Sequence, residues 1–240
     1  TVICSDKTGT LTKNEMTVKV IHDTQRPYEV TGSGYDPNGE ILQDWESCDI
    51  GKLDGVCGVL RIGMLCNESK IFEEDGQYRV DGDPTEGALI IAAMKAGLNP
   101  EEEKHLFPQE AIIPFESEQG FMATLHKHDG KKFIFAKGAP EKILEMCHQT
   151  AGGFPIDKEK ILKTAEHFAQ DGMRVLGMAY KEVPADFREL TRQTLGGNLT
   201  FAGLQGMIDP PRPEAIEAVK GCYEAGIRVA MITGEGSLRR

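Results

Sequence analysis

The two ends of this 240-residue chain differ from its middle in the pattern of strands and helices that the sequence predicts. Residues 1–4 read as a short strand that runs into a polar turn. Residues 201–208 and 227–232 read as strands on either side of a helix over 214–225. Strands that alternate with helices are typical of parallel pairing. The two ends therefore predict parts of one parallel α/β sheet.

The middle of the chain has the pattern of an antiparallel sheet with helices. Hairpin turns are indicated at residues 74–76, EDG, and at residues 129–130, DG, because Asp-Gly pairs favour tight hairpins. Short strands are predicted over 18–22, 28–31, 71–80, 111–115, 121–126 and 132–137. Helices are predicted near 53–66, 84–96, 140–146 and 157–170.

These patterns predict one unit inserted into another. Residues 1–20 and 201–240 are expected to form the parallel α/β unit, and residues 21–200 an α+β unit built on an antiparallel sheet. Residues 14–17 and 209–212 would be the two links between the units. The second link is rich in proline, which fixes φ and stiffens the backbone.

Composition excludes several classes of protein. The 38 acidic and 27 basic residues give a net charge of −11, the opposite of a nucleic-acid-binding surface, so no nucleic-acid partner is expected. No apolar stretch approaches the roughly 20 residues of a membrane-spanning helix. The six cysteines include no Cys-x-x-Cys pair, so the sequence suggests neither a zinc site nor a redox pair.

The turn after the first strand carries residues suited to phosphate chemistry. It runs from residue 6 to residue 12 with the sequence DKTGTLT. Asp6 follows the strand, at the end where open α/β sheets bind ligands, and carboxylates can act as nucleophiles toward phosphoryl groups. Lys7 adds a positive charge, and the turn beginning at Thr8 offers backbone donors. On composition alone, a solvated turn with a capping Asp is the favoured alternative.

This string resembles the phosphorylation motif of P-type ATPases, whose phosphorylation domain has a haloacid-dehalogenase-like fold. The resemblance implies that Asp6 is phosphorylated with help from Lys7 and Thr8, and that the Asp6 carboxylate and the Thr8 carbonyl hold Mg²⁺. Related phosphatases carry a second Asp where this chain has Thr8, which cannot relay a proton in that way. Thr8 therefore argues for a persistent aspartyl-phosphate and against the alternative function, a soluble haloacid-dehalogenase-type phosphatase with a large cap.

Two further strings resemble the nucleotide-binding domain of the same family. Residues 83–89, DPTEGAL, would place Glu86 near the adenine amino group. Glu86 equally fits a helix capping box in which Asp83 is the N-cap, and both interpretations stay open. Phe115 resembles the aromatic residue that stacks on adenine, although a Phe at a strand end is usually buried in the core.

Two departures from the family pattern lie close to Phe115. Ser117 and Gly120 stand where many relatives carry an Arg and a Lys. Two basic contacts to the nucleotide are therefore missing from this stretch. We expect weak binding of ATP as a result.

Three more strings extend the resemblance. Lys137, in FAKGAPE, resembles the lysine that lines the adenine pocket. Arg174, in DGMRVL, resembles an arginine that reaches the phosphates, for which its planar fork is suited. Thr233 and Gly234 end the string MITG, which resembles a segment that meets the γ-phosphate. Residues 208–213, IDPPRP, resemble the hinge that returns to the phosphorylation domain.

Taken together, the resemblance implies a region of a calcium-pump-like P-type ATPase on the cytoplasmic face of a membrane. Residues 21–200 would bind ATP, and the two ends would be part of the phosphorylation domain. The expected partners are ATP, Mg²⁺ and the rest of the pump, with its transmembrane and actuator domains. The transported cation would bind outside this chain. The family's later lysine and Gly-Asp-Gly loop are missing, so we expect ATP binding without efficient turnover.

The tail after Gly234 does not match the family pattern, which normally continues with Asp where this chain has Glu235. We expect that this tail was added to the natural sequence.

Overall fold

The computed structural model describes residues 1–48 and 53–232. Its strands are β1 (Val2–Asp6), β2 (Thr17–His22), β3 (Pro27–Val30), β4 (Ile41–Gln43), β5 (Glu46–Ser47), β6 (Lys70–Glu74), β7 (Gln77–Asp81), β8 (Gln109–Glu116), β9 (Phe121–His128), β10 (Lys131–Gly138), β11 (Cys147–Thr150), β12 (Arg174–Val183), β13 (Leu199–Ile208) and β14 (Arg228–Ile232). Its helices are α1 (Asp54–Leu65), α2 (Pro84–Lys95), α3 (Pro100–Leu106), α4 (Pro140–Met146), α5 (Lys158–Gln170), α6 (Arg192–Leu195) and α7 (Pro213–Glu224).

A ten-stranded sheet organises most of the described chain. Its main path runs β5-β4-β3-β2-β13-β12-β10-β9-β8, and β11 pairs with β13. Every pairing along the main path is antiparallel, whereas β11 runs parallel to β13. The sequence prediction of a large antiparallel sheet with helices in the middle of the chain is confirmed.

Helices cover both faces of this sheet. Side chains alternate along β10, so that Phe133 and Phe135 pack with α1 and α2 while Ile134 and Ala136 pack with α4 and α5. The sheet therefore has a hydrophobic core on each side. Lys137, the next residue after Ala136, lies on the same face as Phe133 and Phe135.

The turn and helix predictions agree well with the structure. Asp75-Gly76 and Asp129-Gly130 both have positive φ angles and close the β6–β7 and β9–β10 hairpins. The four helices predicted in the middle of the chain are present as α1, α2, α4 and α5. The structure adds α3, β4, β5, β11 and α6, for which the sequence analysis made no prediction.

The predicted place of residues 201–208 is wrong. This segment does form a strand, but β13 lies in the large antiparallel sheet between β2 and β12 and does not pair with β14. Nine of its ten residues are buried because helices cover both faces. A strand buried on both faces is apolar along its whole length whether it is parallel or antiparallel, so the apolar pattern could not identify its partners.

The two ends of the chain meet in a separate parallel pair. β1 and β14 pair in register from Val2 opposite Arg228 to Asp6 opposite Ile232, and α7 packs beside them. This agrees with parallel pairing of the ends, but a haloacid-dehalogenase-like sheet remains a prediction. The domain boundaries at 20/21 and 200/201 also remain predictions, and they fall inside β2 and β13. In the described part of the chain, no helix has the length and hydropathy required to cross a membrane.

Candidate functional site

A cavity of about 650 Å³ lies beside the C-terminal end of β10. Glu86, Phe115, Lys137 and Arg174, four of the residues singled out in the sequence, all line it. They come from four separate elements: α2, β8, β10 and β12. A pocket of this size that combines an aromatic ring with convergent charged groups is typical of a small-molecule site.

Lys137 lies at the base of this cavity and is only 5% exposed. Its Nζ is 2.7 Å from Glu86 Oε1, and this contact satisfies the charge of both groups. Gly138 allows the local packing, because a Cβ at that position would collide with Gly120 O and Phe121 Cα. The glycine after Lys137 therefore lets two backbone segments approach closely at the wall of the cavity.

The capping-box interpretation of Glu86 is wrong. The Asp83 carboxylate does cap α2, since it accepts hydrogen bonds from the backbone N–H groups of Thr85 and Glu86 at 2.7 and 3.3 Å. The backbone N–H of Asp83 donates to Ser69 Oγ instead of to the Glu86 side chain. The Glu86 carboxylate is free of any capping role because it bonds to other partners.

The partners of Glu86 hold its carboxylate at the cavity wall. Its Oε2 accepts from the backbone N–H groups of Glu68 and Ser69 and from the Ser69 hydroxyl, at 3.0 to 3.1 Å. Its Oε1 accepts from Lys137. The carboxylate is thus fixed by four hydrogen bonds, and Oε1 retains one lone pair for a further donor.

Phe115 and Arg174 form the outer part of the cavity. Phe115 is 55% exposed, which is unusual for a large apolar side chain at a strand end. Arg174 is exposed at the start of β12, and its guanidinium donates to the Thr85 hydroxyl at 2.9 Å. Ser117 and Gly120, the two departures from the family pattern, also line the cavity.

Acidic groups outnumber basic groups around the cavity. Its lining includes the carboxylates of Glu68, Asp83, Glu86 and Glu141 but only two cations, Lys137 and Arg174. A polyanionic ligand would therefore meet a field that is negative overall, except close to the two cations.

Asp6, Lys7 and Thr8 lie at the other candidate region, at the end of β1. All three are exposed, and none of them lines the cavity. Gly9 has a φ of +75°, which turns the chain sharply within residues 7–11. Thr233 and Gly234, the remaining predicted nucleotide residues, lie outside the described residues.

The segment after Asp6 is hydrogen-bonded to residues 209–212, the predicted returning link. The Thr12 hydroxyl bonds to the Asp209 carboxylate, and the Arg212 guanidinium donates to Thr12 O at 3.0 Å and to Gly9 O at 3.3 Å. The sequence analysis identified residues 209–212 as a link but gave no indication of what Asp209 and Arg212 contact. Those partners lie about 200 positions away, and neither spacing nor composition can pair groups that far apart.

Comparisons with known proteins identify the family of this chain. The family model described as "P-type ATPase, cytoplasmic domain N" matches residues 56–214. Cation-transporting ATPase pma1 of Synechocystis is 45% identical, Calcium-transporting ATPase of Bacillus subtilis 36%, and Calcium-transporting ATPase type 2C member 1 of Bos taurus 38%. Each comparison covers 98% of this chain and 24–27% of the relative, so the chain spans about a quarter of their length. The chain therefore belongs to the cation-transporting P-type ATPases.

Proposed function

We propose that this chain is the ATP-binding and autophosphorylation region of a P-type pump. ATP hydrolysis would drive cation transport through an aspartyl-phosphate on Asp6. The observation that carries the proposal is the convergence of Glu86, Phe115, Lys137 and Arg174 on one cavity. The rest of the pump and the cation site would lie outside this chain, at the cytoplasmic face of a membrane. Relatives named as calcium-transporting ATPases support calcium as the cation.

The cavity offers a separate contact for each part of ATP. The exposed ring of Phe115 is available to stack on adenine. The Glu86 and Lys137 pair presents one acceptor and one cation at the base of the cavity, where polar groups of adenine would be recognised. Arg174 presents a planar fork that suits phosphate oxygens. The excess of carboxylates around the cavity supports weak binding.

We expect Asp6 to act as the nucleophile. Its carboxylate is exposed at the C-terminal end of a parallel strand, where α/β sheets bind their ligands. Bound Mg²⁺ would neutralise phosphate charge there, and the Asp6 carboxylate and Thr8 carbonyl suit it as hard oxygen donors. Lys7 would add a positive charge next to the transferred phosphoryl group.

The parallel pair supports a larger haloacid-dehalogenase-like sheet in the whole pump. Val2, Ile3, Met231 and Ile232 on β1 and β14 are exposed, although apolar strands of parallel sheets are normally covered on both faces. A two-stranded parallel ribbon has too little core to be stable alone. Further strands from the rest of the pump would cover these surfaces.

We infer that this chain alone binds ATP without efficient turnover. Asp6 and Thr8 are the two residues that we propose as its contribution to the Mg²⁺ site. Phosphoryl transfer depends on full electrostatic positioning of the phosphate, which two ligands do not supply.

Calorimetric titration with ATP and GTP tests the nucleotide site. We expect binding that prefers ATP, and a dissociation constant raised about tenfold by Phe115→Ala, because base stacking contributes about 1–3 kcal/mol. Phe154→Ala is the matched control, since Phe154 is similarly exposed but does not line the cavity. Equal effects of the two substitutions would contradict the assignment of the cavity to ATP.

Asp6→Asn tests the phosphorylation proposal separately. In the whole pump, we expect it to abolish capture of ³²P from labelled ATP, while ATP binding to this chain changes less than twofold. The phosphatase alternative predicts instead that the unsubstituted protein releases phosphate from small phosphate esters without accumulating an acid-stable phosphoprotein.

A further inference from the structure

A second cavity, of about 590 Å³, lies on the same face of the sheet as the cavity proposed to bind ATP, which is called the nucleotide cavity below. Phe133 and Phe135 line it from β10, and Lys137 follows at the next position on that face. Helix α1, through residues that include Gly58 and Arg61, forms another wall. The two cavities share no lining residue.

Six of the residues that line this second cavity carry aromatic rings. The rings of Phe107 and His128 are stacked, with centroids 4.0 Å apart, and the ring of Phe133 lies edge-on to Phe107 at 6.2 Å. Tyr28 and Tyr180 add two more rings. Such walls favour another flat ring, which can stack on a face or meet an edge.

The charged groups that pack among the rings already have partners, and the two others in the lining, Asp54 and Arg26, are exposed and of opposite charge. Arg61 donates to both carboxylate oxygens of Glu103, at 2.6 and 3.1 Å, and its guanidinium lies 5.3 Å from the ring centroid of Phe107. The Tyr28 hydroxyl donates to Asp23 at 3.0 Å. Because Arg61 is paired with Glu103 and Asp23 is hydrogen-bonded to Tyr28, a charged ligand among the rings would be desolvated without gaining a counter-ion from them. An uncharged ligand avoids that cost.

We propose that the second cavity is a binding site for an uncharged planar aromatic compound, distinct from the nucleotide site. Its volume is within the range of small-molecule pockets. It also has room at Gly58, where an added Cβ would have no neighbouring atom within 4 Å. The proposal does not depend on ATP binding, because it uses none of the residues of the nucleotide cavity.

Indole is a suitable probe because it is flat, uncharged and soluble. We expect titration of the ¹⁵N-labelled chain with indole to shift the amide resonances of Gly58, Arg61 and Phe133 in a saturable way. Gly58→Leu fills the cavity and should weaken the affinity about tenfold or more. Gly221→Leu is the matched control: Gly221 is also a helical glycine with open space around a Cβ, but it lies in α7. It should leave the affinity unchanged.

Three results would overturn the proposal. The first is the absence of saturable shifts. The second is shifts centred on Phe115 and Lys137, or on the exposed apolar side chains of β1 and α7. The third is the same affinity for indole in the Gly58→Leu chain. If thermal melting shows that Gly58→Leu does not fold, Phe133→Leu replaces it, since this substitution removes a ring but keeps an apolar wall.

Discussion

Lys137 and Glu86 form the most buried ion pair among the described residues, with side chains 6% and 14% exposed. A buried charge that loses its partner is strongly destabilising, because neither water nor a counter-ion replaces the lost contact. We expect Glu86→Ala to lower the free energy of unfolding by about 3–5 kcal/mol. Urea denaturation measures this change, and Glu86→Ala combined with Lys137→Met should cost less than the sum of the single substitutions.

The pair Lys163 and Glu159 provides a matched control. Its side chains are 70% and 80% exposed, and its Nζ–Oε1 distance is also 2.7 Å. Exposed pairs at this helical spacing contribute about 0.5 kcal/mol or less. If Glu86→Ala costs no more than Glu159→Ala, then Lys137 has another partner or gains water, and the argument from burial fails.

The thiol of Cys66, close beneath Lys137, gives a prediction for the pH dependence of stability. Burial raises the pKa of Cys66 from its ordinary value of 9.0 to about 11. The folded chain therefore keeps this proton to higher pH than the unfolded chain does. The contribution of the Cys66 thiol to stability is fully present below about pH 9 and is lost as the pH rises through about 11. The free energy of unfolding should fall by about 2–3 kcal/mol over this range.

Urea denaturation between pH 8 and 11 measures this loss. We expect Cys66→Ala to reduce the fall in stability over that interval relative to the unsubstituted chain. Cys4→Ala is the control, because Cys4 is exposed. An identical pH profile for Cys66→Ala and the unsubstituted chain would show that other alkaline groups account for the loss.

The residues that line the candidate cavity could be singled out individually from the sequence, but their contacts with one another could not. Phe115, Lys137 and Arg174 stand in recognisable strings, and each string is local in sequence. The contact between Lys137 and Glu86 joins positions 51 apart and depends on how α2 packs near β10. A capping box was an equally good local explanation of Glu86, and only the side-chain partners distinguish the two.

At the scale of elements, α2 carries Glu86 into the cavity, and its first turn depends on Asp83. Replacing an Asp N-cap with Ala removes the acceptor for two otherwise unpaired N–H groups. We expect Asp83→Ala to lower the free energy of unfolding by about 1 kcal/mol, measured by urea denaturation. We expect the loss of the cap to raise the dissociation constant for ATP by more than the removal of one carboxylate from the cavity lining lowers it, because α2 positions Glu86 and Thr85.

Asn99→Ala separates the loss of stability caused by a missing helix cap from the loss of ATP affinity. Asn99 caps α3 through the same two types of contact, to the N–H groups of Glu101 and Glu102. α3 contributes nothing to the lining of the nucleotide cavity. Asn99→Ala should therefore cost similar stability and leave ATP binding unchanged. A comparable loss of ATP affinity in both variants would mean that the effect is one of stability.

Elements with local start and stop signals were predicted best. The Asp83-Pro84 start and the Gly97 end define α2 within one residue. α3 begins with an equivalent signal, Asn99-Pro100, which would have revealed it. β13 has no comparable local signal for its neighbours. Its place between β2 and β12 is decided by contacts with strands that are far away in the sequence. The periodicity of the sequence therefore predicted the strand correctly, but not the sheet to which it belongs.

At the scale of the whole molecule, the parallel pair is joined to the large sheet by two short links, residues 11–16 and 209–212 in the structure, that are bonded to each other. The backbone N–H of Lys13 donates to Pro210 O at 3.0 Å, and that of Arg212 donates to Leu11 O at 2.8 Å. The Thr12 hydroxyl and the Asp209 carboxylate add a side-chain contact. The outgoing and returning links should therefore bend as one unit, as rigid-body hinges do.

Arg212 reinforces this unit, because its guanidinium bonds to the carbonyls of Gly9 and Thr12. A hydrogen bond from a charged donor contributes about 1.5–3 kcal/mol. We expect Arg212→Ala to speed amide hydrogen exchange of Lys13 and of residue 212 by about tenfold or more. ATP affinity should change less than twofold, since the nucleotide cavity is lined by the large sheet and its helices.

Arg192→Ala, which breaks an exposed pair with Glu116, should leave exchange at the links unchanged. Unchanged exchange in Arg212→Ala would mean that the backbone bonds alone hold the links together, whereas a large loss of ATP affinity would mean that the links also shape the cavity.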